Sequence, residues 1–437
     1  METIAIQEPF ALIRQTDQID IKPLKIGIWF YFLLLIFEGS LRKWFLAPLA
    51  TPLLVVRDPI AMWLIYHTWK KYLFPPNIYT FAIITITLIG ILTTLLFGHG
   101  NLFVALFGAR IFLHFPLMFV IGRIFNRQDV IRLGIVILWL AIPMTVLLAL
   151  QFYSPQSAWV NRGVGGDESG SGFSGALGYF RPSATFSFTN GTSMFYGFLG
   201  AYIVYFWVSF KQVNRLLLLA STVSLLMAIP LSISRGLFFQ IGVSVLFACL
   251  AMVNKPKSLV RIVVAAGVIT VALYFLQNLS YFQTATEAFL SRFEVANKVE
   301  GGVEGVLLDR YLGGLVEALS SSVDQPFFGY GMGMGTNVGS MLLTGGTTFL
   351  ISEGEWGRLI GEMGPLFGLL VIFIRLIFCA KITLAAVQRL QSGEVLPWML
   401  LSFGLLIIPQ GQWAQPTSLG FSTLIGGLMI ASFRQPK

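Results

Sequence analysis

Gly329-Tyr330-Gly331-Met332-Gly333-Met334-Gly335 and, further on, Ser352-Glu353-Gly354-Glu355-Trp356 lie in the one long polar break of an otherwise apolar chain. The break runs from Ser280 to Trp356 and holds a dense group of charges: Glu287, Arg292, Glu294, Asp309, Arg310, Glu317 and Asp324. Apolar segments of membrane-spanning length flank it on both sides. It therefore reads as a folded loop outside the bilayer that carries the working groups of a membrane protein.

The composition agrees. Of 437 residues, 56% are hydrophobic and only 11% charged, and the mean hydropathy is +0.77. Apolar stretches at roughly 24–39, 47–69, 78–97, 101–121, 131–152, 184–208, 214–232, 235–253, 259–279, 357–379, 395–411 and 416–433 are the expected spans. A lipid-embedded segment must satisfy its backbone polar groups internally, so these stretches predict helices. The fold class is all-α: a polytopic membrane protein with about twelve transmembrane helices and a large helical extracytoplasmic loop. Residues 1–279 hold the first nine helices and a smaller outer loop at 153–183, residues 280–356 the large loop, and residues 357–437 the last three helices.

The net charge is +9, from 29 Lys and Arg against 20 Asp and Glu. The cations sit in short loops between spans, which points to orientation by the positive-inside rule and away from nucleic acid. With the N-terminus in the cytoplasm, Lys22, Lys25, Lys70, Lys71, Arg123, Arg127, Arg132, Lys211, Arg215, Lys255, Lys257, Arg261, Lys381, Arg389, Arg434 and Lys437 all fall inside. Both termini are then cytoplasmic, and the 153–183 and 280–356 loops face out. Acidic residues Glu2, Glu8, Asp17 and Asp20 precede the first apolar run, with no small-residue cleavage site after it, so a cleaved signal peptide is not expected. Cys249 and Cys379 fall in apolar runs and suggest neither a disulfide framework nor a thiolate metal site.

The exceptions to the charge rule carry more information. Arg42, Lys43, Arg162, Arg181, Arg235, Arg292 and Arg310 fall on the outer face, where topology has no use for cations, and point to an anionic partner. Adjacent Arg57 and Asp58 are expected to pair with each other within a span. Arg110 reads the same way, and Arg375 reads as a side chain snorkelling toward the cytoplasm. The Gly- and Ser-rich stretch 163–172 predicts a mobile loop, and 283–298 and 306–321 have helical periodicity.

His67, His99 and His114 are isolated from one another. The glycine run 329–335 is followed by no Gly-Lys-Ser/Thr and sits in no βαβ unit. It reads as a tight turn after Pro326, with a backbone amide nest for phosphate as the alternative. What remains is a set of outer arginines and outer carboxylates. Arginine presents a fixed fork of donors to phosphate, and a carboxylate can take a proton from a hydroxyl nucleophile. Together they suit a transfer in which a diphosphate departs and an alcohol attacks.

Ser232-Ile233-Ser234-Arg235-Gly236 before an apolar span, Asp309-Arg310, Pro326-Phe327-Phe328-Gly329-Tyr330-Gly331-Met332-Gly333 and Glu362-Met363-Gly364 come in the order seen in O-antigen polymerases and ligases. The segment Arg181 to Asn190 also resembles that family's stretch before a span, so the resemblance covers roughly 180–375. It implies a GT-C-type glycosyltransferase at the outer face of a bacterial inner membrane, using an undecaprenyl-diphosphate-linked glycan donor and a glycan acceptor without metal or cofactor. A chain-length regulator is a further expected partner, beside membrane lipid. Family members often carry a His nine residues before the Glu of the Glu-x-Gly motif, and this chain has Glu353 there. The expected catalytic residues are Glu353 as base, with Arg235 and Arg310 on the diphosphate. Arg181, Asn190, Asp309, Tyr330 and Glu355 are the expected substrate-binding residues. The leading expectation is polymerisation of lipid-linked repeat units into O-antigen or exopolysaccharide; the alternatives are an O-antigen ligase with lipid A-core as acceptor and a transporter of an anionic solute.

Overall fold

Runs of Leu, Ile, Phe and Val with few polar side chains leave the backbone no partner but itself, and the chain answers with helices. The computed structural model describes residues 20–209, 212–253, 280–299, 313–321, 325–346, 350–352 and 354–434. In order come α1 (Lys22–Ser40), prolonged by a π-turn at Leu41–Phe45, α2 (Ala50–Leu53), α3 (Arg57–Lys70), α4 (Ile78–Leu96), α5 (Leu102–Phe112), α6 (His114–Ile124) and α7 (Arg127–Tyr153). A small antiparallel hairpin follows, β1 (Ser174–Ala176) and β2 (Tyr179–Phe180), then α8 (Thr189–Val208), α9 (Arg215–Leu231) and α10 (Arg235–Met252). The polar break contributes α11 (Ser280–Val299), α12 (Gly314–Ser321) and α13 (Asn337–Thr344). The last helices are α14 (Glu355–Gln391), α15 (Val395–Ile407) and α16 (Pro416–Ser432).

Among the described residues seven segments are long and apolar enough to cross a bilayer: Lys22–Phe45, Ala47–Lys70, Ile78–Leu96, Leu102–Ile124, Arg127–Tyr153, Arg235–Met252 and Glu355–Gln391. Arg215–Leu231 and Val395–Ile407 are shorter apolar helices. The chain is thus an all-α, membrane-embedded protein. Several helices start at an Asn whose side chain accepts the free amides of the first turn, as Asn77 does from Thr80 N at 2.8 Å. The segment expected at 259–279 lies outside the described residues. The span expected from residue 184 begins only at Thr189, because 181–188 is non-helical and almost wholly buried.

Small residues let helices approach closely, as membrane bundles require. A Cβ on Gly427 of α16 would lie 2.5 Å from Ile121 Cβ of α6, and one on Gly122 of α6 would lie 2.5 Å from Ile430 Cβ.

Two readings of single residues are corrected. Arg57 does not pair with Asp58: its Nε donates to Glu38 at 3.0 Å, while Asp58 accepts from Arg110 Nη1 at 2.8 Å. Neighbouring helix positions point in different directions, so each of the two finds its partner on another helix. Arg375 does not snorkel. It is fully buried, donates to the carbonyls of Ile408 at 3.1 Å and Gly411 at 2.8 Å, and meets Glu355 at 2.8 Å. Helix α14 is not straight, since Gly364 at φ 76° and ψ 169° breaks it before Pro365.

The glycine run fills that break. Tyr330 N donates to Gly361 O at 2.7 Å, Gly331 N to Glu362 O at 3.0 Å, Met332 N to Thr94 Oγ1 at 2.8 Å and Gly335 N to Glu362 Oε1 at 2.8 Å. With these amides committed to protein oxygens, the run is a backbone clasp and not a phosphate nest. A Cβ on Gly333, at φ 87°, would sit 2.2 Å from Val104 O, so only glycine fits.

The 153–183 loop also has internal order. Asn161 Nδ2 donates to the carbonyls of Gln151, Ser154 and Pro155, each at 3.0 Å, and Gly165 N donates to Arg42 O at 3.0 Å.

Candidate functional site

The extended segment 181–188 is where the site begins. Arg181 N donates to Phe173 O at 2.8 Å, closing the hairpin. Ala184 follows at φ 50°, a conformation that costs a residue with a Cβ about 1–2 kcal/mol. Surrounding groups hold it there. Gln151 Oε1 accepts from Ala184 N at 2.7 Å, and Lys43 Nζ donates to Ala184 O at 2.5 Å and to Ser183 Oγ at 3.1 Å. Arg42 Nη1 donates to Ser187 Oγ at 3.0 Å and its Nε to Ala50 O at 2.8 Å. Arg42 and Lys43, both buried, are therefore spent on shaping this segment and not offered to an outside anion. Arg162, the other expected outer cation of this region, pairs with Glu168 at 2.7 Å.

A second strained residue sits across from the first. Ile233, β-branched and at φ 47°, turns the chain from α9 into α10. Ser234 then caps α10, its Oγ accepting from Leu237 N at 3.3 Å and meeting Ser193 Oγ of α8 at 2.8 Å. Arg235 is thus the first residue of α10, at the positive end of the helix dipole. Arg292 comes from α11 and donates to Gly175 O of β1 at 3.2 Å, which ties the loop helix to the hairpin.

Arg181, Arg235 and Arg292 converge on one cavity of about 370 Å³. Asn190, Ser193, Ser234 and Gln240 complete its polar lining; Met194, Ile233, Leu406 and Ile407 give it an apolar side. Among the described residues the lining includes no carboxylate, histidine or cysteine, so this set suits an anion better than a metal ion. Burial, and then the neighbouring Arg292 and Arg235, pull the Arg181 guanidinium down to about 10. It stays charged at neutral pH. Two buried polar atoms of lining residues have no hydrogen-bond partner among the described residues, Arg181 Nε, a donor, and Asn190 Oδ1, an acceptor.

No protein-family model matches the chain, and no curated protein is significantly similar to it.

Of the residues expected from sequence, Arg181, Asn190 and Arg235 come together in the cavity. Glu353, Asp309 and Arg310 lie outside the described residues. Tyr330 is half exposed on the glycine clasp and is not a lining residue. Glu355, expected to bind substrate, is buried, and both its oxygens are taken: Oε1 accepts from Arg358 at 3.0 Å and Arg375 at 2.8 Å, Oε2 from Arg358 at 3.1 Å and Trp413 N at 3.1 Å. Arg358 also donates to Glu362 at 2.7 Å, so two arginines and two glutamates neutralise one another inside the bundle. Glu355, Arg358 and Glu362 stand at i, i+3 and i+7, the spacing of a self-paired helix face, a signal present in the sequence. Arg292 was visible there as an outer cation, but its place beside Arg181 and Arg235 depends on how α11 docks.

Proposed function

We propose that this chain is a twelve-span, GT-C-like glycosyltransferase of a bacterial inner membrane that polymerises undecaprenyl-diphosphate-linked repeat units at the outer face. The observation that carries this reading is the convergence of three arginines, from three separate elements, on one cavity. Three guanidinium groups on one cavity suit a multivalent anion, and their forks match diphosphate oxygens. The apolar side of the cavity, Met194, Ile233, Leu406 and Ile407, suits the start of a lipid chain.

In the proposed reaction the acceptor hydroxyl oxygen attacks the anomeric carbon of the donor, and the bond from that carbon to the diphosphate oxygen breaks. Undecaprenyl diphosphate leaves with the electron pair, its charge met by Arg235, Arg181 and Arg292. The hydroxyl proton passes to the Glu353 carboxylate. Arg310 is assigned to the same diphosphate and Asp309 to substrate binding, and the Tyr330 ring offers a face on which a sugar can stack. Cations aimed at a good leaving group lower the barrier without a general acid.

The test is the length distribution of surface glycan in cells carrying Arg235→Ala or Glu353→Gln at matched expression. Collapse to single repeat units supports polymerisation. Long chains that stay on the lipid carrier identify a ligase; unchanged glycan overturns the site.

One observation favours a carrier for an anionic solute: helix α14 is discontinuous at Gly364, as helices of transporters often are. That break is packed by the chain's own segment 329–335, whose amides cap the carbonyls of Gly361 and Glu362.

A further inference from the structure

The buried charges of α14 reach beyond one another. Arg375 donates to Ile408 O at 3.1 Å and to Gly411 O at 2.8 Å, and its guanidinium lies 4.0 Å from the centre of the Trp413 ring. Trp356 Nε1 donates to Pro409 O at 3.2 Å, and Glu355 Oε2 accepts from Trp413 N at 3.1 Å. The connection between α15 and α16 is thus pinned to α14 along residues 408–413. Both ends of that connection touch the arginine cavity. Leu406 and Ile407 line it, while Gln415 accepts from Asn190 Nδ2 and gives its own Nε2 to Gln412 Oε1 at 2.6 Å.

This arrangement has a chemical consequence at Asn190. Its amide nitrogen donates to Gln415, while Oδ1 is buried and has no partner among the described residues. A buried acceptor left unsatisfied costs about 1–3 kcal/mol. A phosphate oxygen, itself an acceptor, cannot relieve that cost; a hydroxyl or amide N–H can. A glycosyl diphosphate carries such a donor on the carbon next to the one that bears the phosphate.

We propose that the Glu355–Arg375 ion pair is the positioning device for Asn190, and that Asn190 Oδ1 accepts a hydrogen bond from a hydroxyl or amide N–H beside the bound diphosphate. The inference rests on the reading of the cavity as a diphosphate site. Glu355 and Arg375 act only through the 408–415 connection. Lysine cannot replace Arg375, because one ammonium has no fork to span two carbonyls and a carboxylate.

The probes are 2-hydroxyethyl diphosphate and 2-methoxyethyl diphosphate, which differ in the hydroxyl hydrogen that can be donated. Binding is measured by calorimetry on the full chain in lipid nanodiscs. The wild type should bind the hydroxyl probe about fivefold more tightly. Asn190→Leu should bring that ratio close to one, and Gln415→Leu and Arg375→Lys should each do so while keeping affinity for the methoxy probe. Arg434→Lys, whose guanidinium caps the carbonyls of Gly122 and Phe125, should leave the ratio unchanged. Binding of neither probe by the wild type overturns the diphosphate reading. Equal binding of both overturns the role of Asn190. A ratio lost in Asn190→Leu but kept in Gln415→Leu or in Arg375→Lys overturns the positioning role. If Arg375→Lys does not fold, Gln415→Leu, outside the buried ion pair, decides it.

Discussion

Replacing Arg181 by Met should move stability and binding in opposite directions. The Arg181 guanidinium is held at about 10 by burial and by Arg292 and Arg235. The gap from an ordinary arginine corresponds to about 3 kcal/mol against the charged form. Methionine keeps most of the apolar stem and removes the charge, so the ligand-free protein should gain about 1 kcal/mol or more once lost contacts are set against the relief. Diphosphate binding should lose a charge-assisted interaction of about 1.5–3 kcal/mol, a weakening of about 10- to 100-fold. Thermal unfolding and pyrophosphate calorimetry on the nanodisc-embedded protein read both quantities. A lower unfolding midpoint together with unchanged pyrophosphate affinity would refute the reasoning, since Arg181 would then be a structural residue and not one held at a cost for an anion.

Other outcomes follow from named contacts. Affinity for a fully ionised alkyl diphosphate should be flat from pH 7 to about 9 and fall as pH rises through about 10, where Arg181 loses its proton; a fall centred near pH 7 would point to a histidine or a neutralised lysine instead. Gly333→Ala, which sets a Cβ 2.2 Å from Val104 O, should destabilise by about 2 kcal/mol or more, whereas Gly172→Ala, with open space around it, should cost only the strain of its φ of 66°. Equal midpoints for the two would dismiss the glycine clasp. Glu38→Gln should destabilise by leaving Arg57 buried and unmatched, and adding Arg57→Met should recover much of the loss. Adding Arg110→Met instead should not, because Arg110 belongs to Asp58.

The helices were legible in the sequence because length and apolarity alone decide them in a membrane. What the sequence left open was which charge meets which. Arg57 and Asp58 are adjacent in the chain but diverge on the helix, so their partners, Glu38 and Arg110, come from α1 and α5. Arg375 looked like a residue near a membrane surface; only the fold reveals the carbonyls of Ile408 and Gly411 that satisfy it. Within the site, Arg181 and Arg235 stood out as cations on the wrong side of the charge rule, and they do meet. Arg42 and Lys43 stood out equally, yet they serve the strained segment beneath the site, a use that no spacing announces. Asn190 was marked by its motif, but the free oxygen that makes it interesting depends on Gln415, 225 positions away.

The central claim is that the arginine cavity holds the diphosphate of a glycan donor during transfer. Its most direct test is purified protein in nanodiscs incubated with an undecaprenyl-diphosphate-linked oligosaccharide, with glycan length and released undecaprenyl diphosphate measured together. Products of two or more repeat units, one carrier released per bond formed, and loss of both in Arg235→Ala are the result expected. Extended glycan made equally well by Arg235→Ala, or no extension by the wild type in the presence of two donor molecules, would contradict it.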